Sequence, residues 1–190
     1  KAEDTTTTES TKPSTEMTAD EITNAFKNGT ETGLRYDKVV VTPIKGMTND
    51  MIRGVDISSY KSLENAGVTF YDFNGNPASL VKILHNAGVN YLRLRLWNDP
   101  YNASNQNYGG GVCDEASEMA IAKEAAKYGM KVMLDLQYSD FWADPGKQIV
   151  PKAWQNLNPT DIQTEVFQYT RKIMNDFKNA GIDVGMVQTG

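Results

Sequence analysis

The hydrophobic pattern of residues 52–190 alternates between short strand-like runs and longer helical stretches. Short strand-like runs that contain apolar residues predict strands at about residues 53–57, 91–96, 131–136 and 184–188. Strands that alternate with helices through short helix-to-strand turns predict a parallel sheet. The long loops then gather at the carboxyl ends of the strands. That edge binds ligands in a (β/α)8 barrel and also in a doubly wound sheet.

The helix boundaries are marked by particular residues. Glycines that favour the left-handed helix stop close three helical stretches, at Gly88, Gly129 and Gly181. Asn-Pro pairs, which supply an N-cap and a proline at the first helical position, predict helix starts at Asn76-Pro77 and Asn158-Pro159. The helix that begins with the acids at positions 114 and 115 is predicted to pack through Met119, Ala122 and Ala126.

The amino-terminal part differs in composition from the rest. Residues 1–18 are Thr-rich, polar and free of aromatic side chains, which predicts a disordered tether. Residues 19–51 are interpreted as an accessory extension, with a helix over residues 17–29 and a strand at Val39–Val41. A tether of this kind is compatible with a surface anchor. Residues 52–190 form the main domain of the prediction.

Composition and charge exclude several classes of function. The 190 residues are 39% hydrophobic, enough for a sizeable core, and carry a formal net charge of −5. Nucleic-acid binding requires a basic stripe, which this acidic chain lacks. The single Cys113 and the single His85 supply neither an internal disulfide nor a structural zinc site. No apolar run reaches membrane-spanning length.

Aromatic and acidic side chains are concentrated in the loops after the predicted strands. Asp56 follows the first strand, and strand two carries Arg93 and Arg95 before Trp97 and Asp99. The third strand runs into "LDLQYSDFWADPGKQ" (134–148), in which acids and large aromatics lie side by side. A pyranose offers an apolar face for stacking and a rim of hydroxyls for hydrogen bonds. The loops therefore favour a sugar-binding cleft.

Each of these features also has a structural interpretation. Phe141 and Trp142 could simply close the end of the sheet. Arg95 could satisfy a buried network by pairing with Asp56 or Asp135. Asp99 before its proline could be a turn former, and Gly109-Gly110-Gly111 a flexible turn. A Cys113–His85 nucleophile pair is disfavoured because His85 lies within a helix, away from the strand ends.

Several segments closely resemble the arabinogalactan endo-β-1,4-galactanases of glycoside hydrolase family 53. They are "RGVDISSY", "YLRLRLWNDP", "YGGGVCD", "KYGMKVMLDLQYSDFWADPGKQIVPKAW" and "DVGMVQTG", and the resemblance runs from about Met47 to Gly190. The tract "YSDFWADPGKQ" followed by "PKAW" is the most specific of them. The resemblance implies a (β/α)8 TIM barrel that cleaves β-1,4-galactan internally. The fold class expected here is α/β: strands one to four, the first half of that barrel, with a short amino-terminal extension.

The resemblance also implies roles for individual residues. Asp56 and Arg95 would line the catalytic floor, while Trp97 and Asp99 would shape the cleft beside strand two. The sugar subsites would be flanked by Tyr138, Ser139, Asp140, Trp142 and Asp144. Gln137 stands where the family commonly has histidine, so a neutral amide that can hydrogen-bond substrate replaces a titratable imidazole.

The resemblance places the catalysis outside this chain. The family retains anomeric configuration through two glutamates, and its acid/base glutamate would come just after Gly190. No catalytic residue is therefore expected here, and residues 1–190 alone are expected to be inactive. No cofactor is expected in this chain, and the family often carries a structural calcium in the other half. The expected partners are galactan or arabinogalactan oligosaccharides, and the expected location is extracellular or cell-surface, in bacteria. Two alternatives stay open, a non-catalytic carbohydrate-binding module and a barrel glycanase for another glycan.

Overall fold

The computed structural model describes residues 44–48 and 50–190, together with the backbone of residues 35–36 and 39–40. Two short strands, β1 (Arg35–Tyr36) and β2 (Val39–Val40), pair antiparallel. The other elements follow in the order β3 (Gly54–Asp56), α1 (Tyr60–Asn65), α2 (Leu80–Asn86), β4 (Tyr91–Leu96), α3 (Glu115–Lys127), β5 (Lys131–Leu136), a 3-10 turn (Lys152–Trp154), α4 (Pro159–Asn179) and β6 (Val184–Thr189). Within this part of the chain, no helix has the length and apolar character needed to cross a membrane.

Strands β3 to β6 form one parallel sheet in sequence order. The predictions for residues 91–96 and 131–136 are confirmed residue for residue. The first strand is shorter than predicted and the last is one residue longer. In the extension, β2 confirms a strand at the predicted place. The helix predicted over residues 17–29 lies outside the described residues.

The helix stops agree with the sequence, and one helix start does not. Gly129 and Gly181 have φ of 66° and 75°, the left-handed conformation that a side chain disfavours. Asn158 caps α4 as predicted, with Pro159 at its first position. The start predicted at Asn76-Pro77 is wrong: α2 begins at Leu80, and the cap is Ser79, whose hydroxyl accepts a hydrogen bond from the Lys82 amide at 3.2 Å.

The packing face of α3 also differs from the prediction. Ala122 is buried, but Ala126 is exposed and Met119 is only half-buried. The fully buried positions are Glu118, Ile121, Ala122 and Ala125. The helix is therefore rotated so that its contact face runs along positions 118, 121, 122 and 125, the i, i+3, i+4, i+7 spacing of one helical stripe. The predicted contact face contained only small and sulfur-containing residues and did not include the buried Glu118.

The core lies between the sheet and its covering helices. Alternate residues of the two central strands are fully buried on this side: Leu92, Leu94 and Leu96 of β4, and Val132, Leu134 and Leu136 of β5. Side chains alternate between the two faces of a strand, so the odd-numbered residues of β4 and β5 face the other side of the sheet. This parity directs Arg93, Arg95 and Asp135 away from the helices and toward the candidate site.

Removal of the α4 cap tests the helix assignment. The Asn158 side chain accepts hydrogen bonds from the amides of Thr160 and Asp161, both at 3.0 Å. Asn158→Ala is expected to lower the free energy of unfolding by about 1 kcal/mol because these amides lose their acceptor. Urea unfolding measures the loss. Asn156→Ala, an exposed asparagine two residues earlier, is the matched control, and an equal loss in both variants would contradict the capping role.

Candidate functional site

The centre of the site is the guanidinium of Arg93 on β4. It donates to Asp56 Oδ2 on β3, to Asp135 Oδ2 on β5 at 2.5 Å, and from Nε and Nη2 to Gln188 Oε1 on β6, both at 3.2 Å. Arginine has five donors in a planar fork, so one side chain can satisfy acceptors from several strands. One cation thus joins all four strands of the parallel sheet on the face opposite the helices.

The two carboxylates of this cluster have different environments. Burial alone would raise the pKa of Asp56, but hydrogen bonds from Ser58 and Arg93 outweigh it and hold that pKa below its ordinary value. Burial raises the pKa of Asp135, and the nearby Arg93 charge only partly offsets it. The Asp135 side chain is fully buried, and its Oδ1 has no hydrogen-bond partner in the described part of the chain.

Arg95 has a different role from the one that the sequence offered as an alternative. It does not pair with Asp56 or Asp135, because Arg93 takes both acids. Two residues further along β4, Arg95 lies about 6–7 Å nearer the carboxyl end of the strand and meets the glycine loop there. Its Nη2 donates to Gly110 O at 3.1 Å and to Cys113 Sγ at 3.2 Å, and the residue is only 4% exposed.

Aromatic rings cover Arg95. Its guanidinium carbon lies 3.7 Å from the Trp142 ring centroid and 4.9 Å from that of Trp97. Trp97 is buried and contacts both Phe141 and Trp142, with ring centroids 5.0 and 5.7 Å apart. Trp142 is 43% exposed and Tyr108 is 44% exposed. Trp97 is therefore the base of the cluster, and Trp142 and Tyr108 present aromatic surface to solvent.

Gln137 connects the charged cluster to the aromatic one. Its Oε1 accepts hydrogen bonds from Trp97 Nε1 at 2.8 Å and from the Ala143 amide at 3.3 Å. Its Nε2 donates to Asp135 Oδ2 at 3.2 Å. The sequence pointed to Gln137 as a residue facing substrate, and the structure shows all of these contacts within the protein.

Asp99 and Asp140 fasten two loops together. Asp140 Oδ1 accepts from the Asp99 amide at 3.0 Å, and its Oδ2 accepts from the Lys152 amide at 2.8 Å. The Lys152 ammonium lies 2.8 Å from Asp99 Oδ2. The loop after β4 and the loop after β5 are therefore held in one arrangement beside the aromatic cluster. In this structure both carboxylates contact other parts of these loops.

Tyr138, Ser139 and Asp144 also make contacts within the protein. The Tyr138 hydroxyl lies 2.8 Å from Thr170 Oγ1 on α4, so this side chain turns toward the helix. Ser139 is buried, and its carbonyl accepts from the Asn98 amide at 2.8 Å. Asp144 accepts from the Gly146 amide at 2.7 Å and closes a turn. Their predicted roles beside sugar subsites stay predictions.

Cys113 and His85 lie in separate environments. Cys113 is fully buried against Arg95, and burial raises the pKa of its thiol to about 12. The His85 ring stacks on Tyr128 with centroids 5.1 Å apart. A thiol that stays protonated near neutral pH is a poor nucleophile, so a Cys113–His85 nucleophile pair remains disfavoured. Across the residues that the structure describes, no cluster of three or more His, Cys, Asp or Glu side chains is arranged to hold a metal ion.

Sequence reasoning missed three residues of the site. The sequence analysis predicts a site role for Arg95 but none for Arg93. The two-residue spacing puts both arginines on the same face of the strand. Gln188 occupies the equivalent inward face of β6. Glu118 on α3 is fully buried, neither of its oxygens has a hydrogen-bond partner in the described residues, and burial raises its pKa well above the ordinary value. Its only signal was a charged residue on the stripe that faces the core.

The fold places the chain among α/β proteins that carry their functional loops at the carboxyl ends of parallel strands. The family model for glycosyl hydrolase family 53 matches residues 52–190, and the chain belongs to that family. It is 46% identical over 157 residues to an endo-beta-1,4-galactanase of Bacillus subtilis, covering 83% of this chain and 37% of that protein. It is 37% identical over 139 residues to a probable arabinogalactan endo-beta-1,4-galactanase A of Neosartorya fischeri, covering 73% of this chain and 36% of that protein.

Solved structures agree with the sequence comparisons. The catalytic domain of a family 53 protein from Ignisphaera aggregans superposes with a TM-score of 0.75 at 40% identity, covering 78% of this chain and 41% of that one. A fungal β-1,4-galactanase structure gives a TM-score of 0.64 at 37% identity, covering 72% of this chain and 39% of that one. The expected fold class is confirmed: the parallel four-stranded sheet and its helices match the first half of a family 53 (β/α)8 barrel. The chain spans under two fifths of the length of the Bacillus relative.

Replacement of Arg93 by methionine tests the central cluster. Arg93→Met is expected to cost about 2–4 kcal/mol of unfolding free energy, because the buried Asp135 loses its cation. The deficit should be larger near pH 7 than near pH 4. Loss of the guanidinium raises the pKa of Asp135 further, so the carboxyl takes up a proton as pH falls and the buried charge disappears. The stability that the Asp56–Arg93 pair contributes is present above the ordinary carboxyl pKa and is lost as pH falls through the lowered pKa of Asp56.

Urea unfolding at both pH values measures the effect, and Lys131→Met on β5 is the matched control. Lys131 pairs with Asp183 at 3.7 Å, and both side chains are more than half exposed. Its removal is expected to change stability by less than about 0.5 kcal/mol at either pH. Equal losses in the two variants would contradict a central role for Arg93.

Proposed function

We propose that this chain forms the first half of the catalytic barrel of an endo-β-1,4-galactanase, and that the whole protein hydrolyses β-1,4-galactan within the polymer. The observation that carries the proposal is the 46% identity over 157 residues to an endo-beta-1,4-galactanase. The site supports it with an exposed Trp142 face beside hydrogen-bonding groups, the combination that a pyranose ring requires. Extracellular or cell-surface location, with residues 1–18 as a tether, is part of the proposal because a polymeric substrate must be met outside the cell.

The proposed mechanism retains anomeric configuration through two glutamates. Such a pair has its carboxyl groups about 5–5.5 Å apart, one protonated as acid and one ionised as nucleophile. In the described residues every glutamate lies on a helix, at positions 64, 115, 118, 124 and 165. We therefore assign both catalytic glutamates to segments outside residues 52–190, with the acid/base following Gly190 and the nucleophile on strand seven. Any structural calcium is assigned to that same part of the barrel.

The described half would supply the floor and one wall of the cleft. Asp135 is too deeply buried to reach a sugar, and Arg93 holds both it and Asp56. This arrangement suits a floor that orients neighbouring groups rather than an acid or nucleophile. Trp142 would stack on a sugar ring, with its indole fixed on Arg95.

A reducing-sugar assay on β-1,4-galactan tests the assignment of the chemistry. The full-length protein is expected to release reducing ends, and residues 1–190 alone are expected to release none. Turnover by residues 1–190 would overturn the placement of the glutamates. Tight galactan binding without cleavage by the full-length protein would favour a carbohydrate-binding module. Faster hydrolysis of mannan or cellulose than of galactan would favour a glycanase of different specificity.

Substitution of Trp142 tests the binding surface. In the full-length protein, Trp142→Ala is expected to weaken binding of a galacto-oligosaccharide by about 3–10-fold, because an aromatic stacking contact is lost. Titration calorimetry on a catalytically inactivated background measures the affinity. Tyr71→Ala, which removes another exposed aromatic side chain in the loop between α1 and α2, is the control and should leave affinity unchanged. Unchanged affinity in Trp142→Ala would exclude this ring from the subsites.

A further inference from the structure

Gln137 follows β5 directly and is only 9% exposed, although its side chain is polar. All three of its hydrogen bonds are made inside the protein. The partners of Oε1 are N–H groups, of Trp97 and Ala143, and can only donate. The partner of Nε2 is the carboxylate of Asp135. The orientation of the carboxamide is therefore determined by its surroundings, because a reversed amide would set donor against donor.

These contacts reach the exposed aromatic surface from two directions. Trp142 packs edge-to-face on the Trp97 indole, with centroids 5.7 Å apart, and Gln137 holds that indole through Nε1. Ala143 is the next residue after Trp142, and Gln137 holds its amide. One side chain thus fixes both the ring beneath Trp142 and the backbone beside it.

We propose that Gln137 is a positioning residue, which presets the exposed face of Trp142 for a sugar ring and does so equally at acidic and neutral pH. The inference rests on the proposed function, since it names the group that prepares the proposed stacking surface. Gln137 itself touches no reacting atom.

The independence from pH follows from the chemistry of the amide. A carboxamide does not titrate, so its oxygen accepts from Trp97 across the working range. A neutral imidazole at this position could accept from Trp97 with one nitrogen and donate to Asp135 with the other. Protonation would turn both nitrogens into donors, and the contact with Trp97 would be lost.

The groups around Gln137 determine the direction of such a titration. The charged groups that act on its partner Asp135 are Arg93 and Arg95 of β4 and Asp56 of β3. From β6 the neutral Gln188 reaches the same cluster. Gln137 also borders a cavity, whose lining includes Tyr138, Ser139, Gln148 and Trp154. Asp135 contacts the amide directly and would favour a protonated imidazole, whereas the two arginines would oppose it. Binding by a histidine variant should therefore weaken as pH falls.

The test uses the full-length protein with three substitutions: Gln137→His, Gln137→Leu and Gln155→His. Gln155 is exposed, so Gln155→His is a matched control that adds an imidazole away from the site. KM and kcat for a β-1,4-galacto-oligosaccharide are measured between about pH 5 and pH 8, and each value is divided by that of the unsubstituted protein at the same pH. The indole N–H resonance of Trp97, identified by its loss in Trp97→Phe, is followed by NMR over the same range.

The KM ratio of Gln137→His is expected to be near one at about pH 8 and to rise about 3–10-fold at about pH 5, the effect of one lost hydrogen bond, while the kcat ratio changes less. The Trp97 resonance should move over the same range. Gln137→Leu should show a raised KM ratio at every pH, and Gln155→His a ratio near one throughout.

A KM ratio for Gln137→His that is flat with pH, together with an unmoved Trp97 resonance, would overturn the proposal. An unaltered KM in Gln137→Leu would do the same. Should Gln137→Leu fail to fold, the comparison of Gln137→His with itself at the two pH values still decides. If the unsubstituted protein does not act on galactan, the proposed function fails. The resonance alone then decides: a shift in Gln137→His supports the positioning of Trp97, and no shift overturns it.

Discussion

The inner face of this sheet depends on one guanidinium. Polar side chains directed away from the helices would be costly to bury if they lacked partners. Arg93 meets this constraint for three strands at once, by donating to Asp56, Asp135 and Gln188. Because its acceptors come from both sides of β4, the contact also favours the observed register, in which Asp56 lies opposite Arg93 and Asp135 lies opposite Gln188.

Arg93 and Arg95 lie on the same strand but make different contacts. By strand register Arg93 lies opposite Asp56 and Arg95 lies opposite Asp135. The guanidinium of Arg93 nevertheless binds both carboxylates, whereas that of Arg95 meets the glycine loop and is covered by indole rings. Burial favours the neutral form of the nearby Glu118, so the charge of Arg95 is compensated by the indole rings of Trp97 and Trp142 and by the Gly110 carbonyl. Gln137 bonds both to Asp135 and to the Trp97 indole. Floor and aromatic surface therefore behave as one connected network.

The sequence predicted the elements of this fold better than their partners. Strands β4 and β5 were placed to the residue because every second position in each is apolar and polar loop residues follow the last of them. The cap at Asn158 was recognisable because an asparagine directly before proline has a local mechanism. The same reasoning failed at Asn76-Pro77, where Asp72 accepts from the Asn74 and Asn76 amides and makes a turn instead. A local signal cannot show which of two turn chemistries the surrounding chain will use.

Side-chain pairing was the least predictable feature, for a geometric reason. The spacing of Arg93 and Arg95 puts both on one face, but which of them meets Asp56 depends on strand register and on where the loop over residues 109–113 returns. That loop brings Gly110 close to the aromatic cluster: a Cβ there would lie 3.1 Å from Trp142 Nε1 and 3.5 Å from the Trp97 ring. A side chain at this position would push against the indoles that cover Arg95. Which arginine of β4 is buried therefore depends on Gly110, which is distant in sequence, as well as on the strand. The residue pattern of β4 alone cannot predict it.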